Sequence, residues 1–289
     1  MRHWLIANTK AGGGDRGADF WVPRLERAGI TSLRVRDLGG EDWDKDLEAG
    51  DTVLVAGGDG SVNRAAKACL ECGATLGILP SGTANDFARN LNLPEDPDAL
   101  CRVTAKARVA RVDVGWLDDR LFLNVVHIGL GTLPTTQAST RLKRWLGRFS
   151  YAAMLPQLRR LGLMRGFKAS IETDNQRSEE RWLSLAIASG AFFGGGTQVP
   201  GASPHNGQLT LVAVRPRPWW QLLRAFLSTR LSGKTPADDD SVWQVNTTVC
   251  RIQMTSERRV TADGEQLGKA DELQARIDEG ALRVITGAP

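Results

Sequence analysis

DTVLVAGGDGSVN (residues 51–63) is an apolar run of strand character that ends in a glycine-rich turn and opens into a helical pattern, reaching about residue 73. The same order follows at once: TLGILP (75–80) runs into PSGTANDFAR (80–89), again a strand, a glycine turn and a helix start. Short apolar runs bounded by turn residues mark buried strands. A glycine turn between strand and helix lets backbone N–H groups approach an anion with no Cβ in the way. The helix N-terminus behind it adds donors and the positive end of its dipole.

Outward from this pair, HWLIAN (3–8) and TSLRVRD (31–37) read as two more strands. Helical patterns fall at about 15–28, 41–49, 84–91 and 96–107. Strand–helix alternation predicts an α/β domain, a doubly wound parallel sheet over residues 1–112, with ligands at the carboxyl ends of its strands. Three loops fall there: Asn8–Asp15, Gly57–Asn63 and Pro80–Arg89. Beyond residue 112 the rhythm changes. RVDVGWL and RLFLNVVHIGL flank Asp118-Asp119 as a hairpin, a helix is expected over 141–163, and strands over 166–174, 181–190 and 207–214. A second helix (215–233), a mobile loop (236–242) and short strands from Ser241 complete a mainly antiparallel β-sandwich domain over 113–289.

Composition agrees with a globular chain. The 289 residues are 42% hydrophobic and 24% charged, with mean hydropathy −0.25, which excludes disordered, collagen-like and coiled-coil classes. No apolar run approaches the roughly 18 residues of a membrane span, and the first residues lack a signal-peptide pattern. A cytoplasmic protein is expected, with peripheral contact at the inner membrane face open. The lone Cys69-x-x-Cys72 lies in a helical pattern and reads as packing, since Cys101, Cys250 and three histidines supply no second metal-binding pair. Net charge is only +4, but residues 141–168 hold basic residues and no acidic one, which suits an anionic lipid surface or a phosphate-rich partner.

Asp59 is the informative side chain. A carboxylate inside a phosphate-cradling loop repels phosphate unless a cation lies between, and Mg²⁺ on nucleotide phosphates takes one or two carboxylates. The alternative is a turn aspartate capping the helix from Ser61. Asp86 carries the same ambiguity, and Ser61 or Asn85 could cap a helix and touch phosphate together. Gly12, Gly14 and Gly17 satisfy G-x-G-x-x-G with Asp37 about 20 residues on. Thr9-Lys10-Ala11 separate that motif from its strand, however, and a dinucleotide oxidoreductase leaves the other two loops unexplained.

GGDGSVN and LGILPSGTANDFAR resemble the diacylglycerol-kinase catalytic-domain family, which includes bacterial lipid kinases and the sphingosine and ceramide kinases. NTKAGGG (8–14), FLNVVHIGLG (122–131), FFGGGTQVPGASP (192–204) and ADGEQLG (262–268) extend the likeness along the chain. The resemblance implies two domains and ATP-dependent transfer of the γ-phosphate of Mg·ATP to a lipid hydroxyl. By motif position, Asn8, Gly12, Gly57, Gly58, Asp59, Gly60, Ser61, Val62, Asn63, Gly82, Thr83 and Asn85 would bind ATP. Arg36 falls roughly where the family has a nucleotide-side residue. Glu265 would be the general base, although Asp263-Gly264 is also a hairpin signal. Asp59 would sit at the Mg·ATP phosphates. The family also holds a further Mg²⁺ through an aspartate and neighbouring carbonyls; the matching positions are Ser203, Asn206 and Gln208, and Asn206 in place of aspartate weakens that site.

Arg64 stands where a glutamate is common and could favour a phosphate or lie on the surface. Trp145, Trp219 and Trp220 could reach a bilayer, but the helices that carry them have spacing equally suited to core packing. Two other readings stay open: a soluble-substrate kinase of the NAD-kinase-like group, and a non-catalytic nucleotide- or lipid-binding regulator. Nothing beyond mild basicity points to nucleic acid. Neither the lipid nor the oligomeric state is fixed by the sequence.

Overall fold

The structure is a computed structural model that describes residues 2–7, 16–40, 42–129, 132, 165–218 and 241–287. The first part of the chain forms β1 (His3–Ala7), α1 (Ala18–Arg27), β2 (Leu33–Asp37), β3 (Thr52–Gly57), α2 (Asp59–Cys72), β4 (Thr75–Pro80), α3 (Asp86–Asn90) and α4 (Pro97–Lys106). Then come β5 (Val109–Leu117), β6 (Arg120–Phe122), β7 (Val125–Gly129), β8 (Phe167–Thr173), β9 (Arg177–Trp182) and β10 (Ser184–Ala188). The last are β11 (Phe192–Phe193), β12 (Thr197–Gln198), β13 (Leu209–Val214), β14 (Val242–Thr247), β15 (Val249–Ala262) and β16 (Glu265–Ile285).

Two compact units result. The first takes Met1–Val125, Ser189–Gln208 and Ile277–Pro289. In it β2, β1, β3 and β4 are parallel neighbours in that order, and the C-terminal end of β16 joins β4 in parallel through Val284 and Leu76. Successive side chains of a strand point to opposite faces, and here both faces are buried. Trp4, Ile6, Val53 and Val55 pack with Val62, Ala65, Ala66 and Cys69 of α2. Leu5, Ala7, Leu54 and Ala56 pack with Trp21 and Leu25 of α1 and Leu100 and Cys101 of α4. This is the expected doubly wound sheet. The Cys69 thiol is pushed up by burial, so it behaves as a small apolar side chain.

The second unit takes Val126–Ala188 and Leu209–Arg276. All its strand pairings with recorded register are antiparallel: β15 with β16, β7 and β8, β8 with β9, β13 with β10 and β14. Residues alternate as such a layer requires; Phe167, Ala169 and Ile171 of β8 are buried, as are Cys250, Ile252 and Met254 of β15.

The structure changes several sequence expectations. Residues 42–49 form turns, not a helix. Asp42 takes a left-handed φ of 62°, and Lys45 N–H donates to Asp42 C=O and Leu47 N–H to Asp44 C=O. Short acidic side chains that compete for backbone bonds favour such turns over a helix. The expected strand 181–190 is two, β9 and β10, broken at Leu183. The separate short strands expected near the end are the continuous β15 and the 21-residue β16, which runs from the second unit into the first. The expected helix 141–163, residues 219–233 of the second helix, most of the loop 236–242, and Trp145, Trp219 and Trp220 lie outside the described residues. No helix among the described residues is long and apolar enough to cross a membrane.

Candidate functional site

The two glycine turns meet. Gly57 ends β3, Gly58 precedes α2 with φ −91°, and Asp59 is the first residue of α2. β3 and β4 pair in register through Gly57 and Pro80, and Ser81 N–H donates to Gly57 C=O at 2.9 Å. The turns are therefore level, and Gly82 lies against Gly58. A Cβ on Gly82 would fall 2.6 Å from the Gly58 Cα, and one on Gly58 would fall 3.3 Å from the Gly82 Cα. Gly82 needs glycine for this close backbone approach, Gly58 is merely tight, and neither requires a left-handed φ.

Side chains lock the second turn. Asn85, left-handed at φ 51° and ψ 42°, accepts from Gly82 N–H with its Oδ1 at 3.0 Å and donates from Nδ2 to Gly82 C=O at 2.9 Å. The Ser81 hydroxyl is buried; it accepts from Trp21 Nε1–H at 3.2 Å and lies 3.0 Å from its acceptor, the Arg16 carbonyl. Thr83 is exposed beside this ring, whereas Ser61 and Val62 are buried at the start of α2. Gly60 and Asn63 are half-buried there.

Asp59 does not act within its own helix alone. Its Oδ1 accepts from Phe87 N–H at 3.2 Å, tying the first turn to the start of α3. Asp86 is only 5% exposed and turns the other way; its carboxylate accepts from Gly195 N–H at 3.1 Å and Gly196 N–H at 2.8 Å. One turn later, Asn90 accepts from Ala191 N–H at 2.8 Å and donates to Asn124 Oδ1 at 2.9 Å. Sequence reasoning missed Asn90 and Asn124. The Asp86–Asn90 spacing, one helical turn, was the available signal.

Arg64 is settled by geometry: its Nη1 donates to Leu38 C=O at 2.7 Å, so it supports the turn after β2. Arg36 lies exposed on β2 with its guanidinium 5.7 Å from the centre of the Trp4 ring. Asn8 and Gly12 lie outside the described residues. Glu265 belongs to the second unit, where it opens β16 exposed to solvent. It follows a two-residue turn with both φ positive, Asp263 at 46° and Gly264 at 85°, the geometry favoured in tight hairpins.

The loop at Ser203, Asn206 and Gln208 belongs to the first unit. Asn206 Oδ1 accepts from Gln208 N–H at 3.1 Å, and Ser203 Oγ accepts from His205 N–H at 3.3 Å. The buried carboxylate beside them, Asp113, accepts from Gly207 N–H at 2.7 Å and Gly280 N–H at 2.8 Å. The Asn206 amide oxygen is neutral and already accepts one bond in its own turn, so it offers a hard divalent cation less than an aspartate carboxylate would. The glycine turns do fit a nucleotide's phosphates: two helix starts, backbone approached without Cβ atoms, and one fixed carboxylate.

Residues 2–117 match the family described as diacylglycerol kinase catalytic domain, and residues 124–286 the YegS C-terminal NAD kinase beta sandwich-like domain. A protein named probable lipid kinase YegS-like from Citrobacter koseri is 31% identical over 239 residues, covering 81% of this chain and 77% of the relative. One of the same name from Chromohalobacter salexigens is 34% identical over 228 residues, covering 73% and 70%. Among solved structures, a putative diacylglycerol kinase from Bacillus anthracis superposes with a TM-score of 0.81 at 22% identity, covering 99% of this chain and 95% of that one. That likeness shows the shared fold.

Proposed function

The chain belongs to the diacylglycerol kinase catalytic-domain family, and from that membership we propose that it is an ATP-dependent lipid kinase transferring a γ-phosphate to a lipid hydroxyl. The observation that carries the reading is the backbone contact between Gly58 and Gly82, which joins two phosphate-type turns at two helix starts with Asp59 between them. In this reading residues 1–112 supply the nucleotide side and 113–289 the acceptor side. The protein is cytoplasmic and meets its substrate at a membrane surface.

Phosphoryl transfer asks a protein mainly for positioning and charge stabilisation. Gly57–Asn63, Gly82, Thr83 and Asn85 hold the phosphates, with Asn8 and Gly12 assigned to the same task by motif position. Mg²⁺, when bound with the nucleotide, supplies neutralisation of phosphate charge. Asp59, fixed by Phe87 N–H, is the residue we assign to hold that ion near the phosphates. Glu265 is the carboxylate we assign to take the acceptor's hydroxyl proton.

The test is transfer of labelled γ-phosphate from Mg·ATP into organic-extractable lipid across a lipid panel, with Glu265→Gln alongside. Label should enter at least one lipid and fall by about 10²–10⁴-fold in the variant, the usual range for loss of a general base. Label in no lipid, with nucleotide still bound, would overturn the acceptor class.

A further inference from the structure

We propose that Asp86 and Asn90 are positioning residues that fasten a glycine hairpin, Ala191–Gln198, to the helix of the second nucleotide turn, and that this hairpin orients the lipid acceptor. The inference rests on the kinase reading above.

Asp86 and Asn90 are 5% and 7% exposed on a helix of five residues, one turn apart and so on one face. Both direct their side chains to backbone N–H groups about a hundred residues away, at Gly195, Gly196 and Ala191. The hairpin pairs Phe192 with Gln198 and Phe193 with Thr197, and its turn is Gly194, Gly195 and Gly196 with φ of 61°, 86° and 98°. Three successive left-handed residues are open only to glycine, at a cost in chain entropy. Successive N–H groups turned to one side form a nest for an anion, and the anion here is the Asp86 carboxylate.

A buried charge held this way is weak evidence for added stability; what it fixes is position. The residue next to Asp86, Phe87, gives its N–H to Asp59. The same short helix is therefore bonded to the first nucleotide turn on one side and to the hairpin on the other. The hairpin carries two adjacent phenylalanines, both half-buried, and a Cβ added at Gly194 or Gly195 would meet nothing within 4 Å. Adjacent strand positions face opposite ways, so each face of the hairpin carries one phenylalanine. An apolar side chain beside open glycine backbone, fastened to a phosphate-binding turn, matches an acceptor whose hydroxyl sits on a hydrocarbon body.

The experiment uses the full chain and, in mixed detergent micelles, whichever lipid of the panel accepts label. Asn90→Ala removes two hydrogen bonds, of which only the one to Ala191 reaches the hairpin. Its loss should speed amide exchange across 191–198 and raise the KM for lipid, each about tenfold, while the KM for ATP stays within about twofold. Phe192→Ala with Phe193→Ala should raise the lipid KM without changing the KM for ATP, and tests the apolar contact even where Asn90→Ala fails to fold. Equal shifts in both KM values, or a loosened hairpin with unchanged lipid KM, would overturn the proposal. Wild-type protein that labels no lipid would instead overturn the kinase reading, so the two failures are distinct.

Discussion

Replacing Gly82 by alanine tests the joined glycine turns directly. The new Cβ would lie 2.6 Å from the Gly58 Cα and 3.0 Å from Asn85 Oδ1, whereas ordinary contacts begin near 3.4 Å. The turns must part by about 0.8 Å, and the obstacle is backbone, which cannot rotate away as a side chain can. Overpacking of this kind costs about 1–3 kcal/mol. An N–H···O bond near 2.9 Å that lengthens by the same amount is no longer a hydrogen bond, and each one to a charged group is worth about 1.5–3 kcal/mol. Nucleotide affinity should therefore fall by about 10–100-fold, one or two factors of 1.4 kcal/mol. Gly58→Ala meets the same contact at 3.3 Å and should cost no more than about threefold, since a few tenths of an ångström relieve it. Neither glycine has a left-handed φ, so backbone strain does not confound the comparison. Titration with a fluorescent ATP analogue, beside thermal unfolding of each variant, reads both numbers. A folded Gly82→Ala protein that binds within twofold of wild type, or a Gly58→Ala protein that is the weaker binder, would refute the reasoning.

Two further outcomes follow from named contacts. Arg64→Ala should lose about 1 kcal/mol of stability through its bond to Leu38 and leave nucleotide affinity unchanged, measured by denaturant unfolding and nucleotide titration; a clear loss of nucleotide affinity would restore the phosphate role. Acid should destabilise the protein in two stages. Burial pulls the His127 imidazole down from 6.5 to about 4, so the unfolded chain binds a proton first and stability falls between those values by about 3 kcal/mol at most. Burial pushes the Asp51 carboxyl up, but bonds from Arg2, Trp4 and Glu48 outweigh it and hold it well below the usual carboxylate range. Its contribution is present above the ordinary carboxylate pKa and is lost as pH falls below it. His127→Asn should remove the first stage of a stability–pH curve and leave the second.

The parallel sheet was legible because its central strands are buried on both faces and read as unbroken apolar runs between glycine turns. β9 was not, because RSEERW offers one buried side chain, Trp182, and its pairing with β8 is a long-range fact. Nor could local pattern reveal that Ile277–Ile285 returns to the first unit beside β4. At the site, the glycine turns announced themselves by composition. Which way each polar side chain turned did not: Arg64 had two readings of equal chemical sense until the Leu38 carbonyl decided it, and the partners of Asp86 lie more than a hundred residues along the chain.

In the kinase reading proposed above, capping and phosphate chemistry are not rival explanations of one residue. A carboxylate in an anion-binding turn raises the cost of bringing phosphate there unless a cation accompanies it. Asp59 and Asp86 are each held by backbone N–H groups of another segment, Asp59 by α3 and Asp86 by the glycine hairpin. Each is thus anchored by the fold itself, and in that reading an ion arriving with the phosphates would meet the Asp59 carboxylate already in position. Ordering costs that would otherwise be charged against binding have been met in folding. The arrangement puts both attachments on one short helix: unfolding α3 would release Asp59 and the hairpin together, whereas a single side-chain change need break only one of them. A substitution on that helix should then disturb the nucleotide side only where it breaks the Phe87–Asp59 bond, and the acceptor side where it breaks the bonds of Asp86 or Asn90.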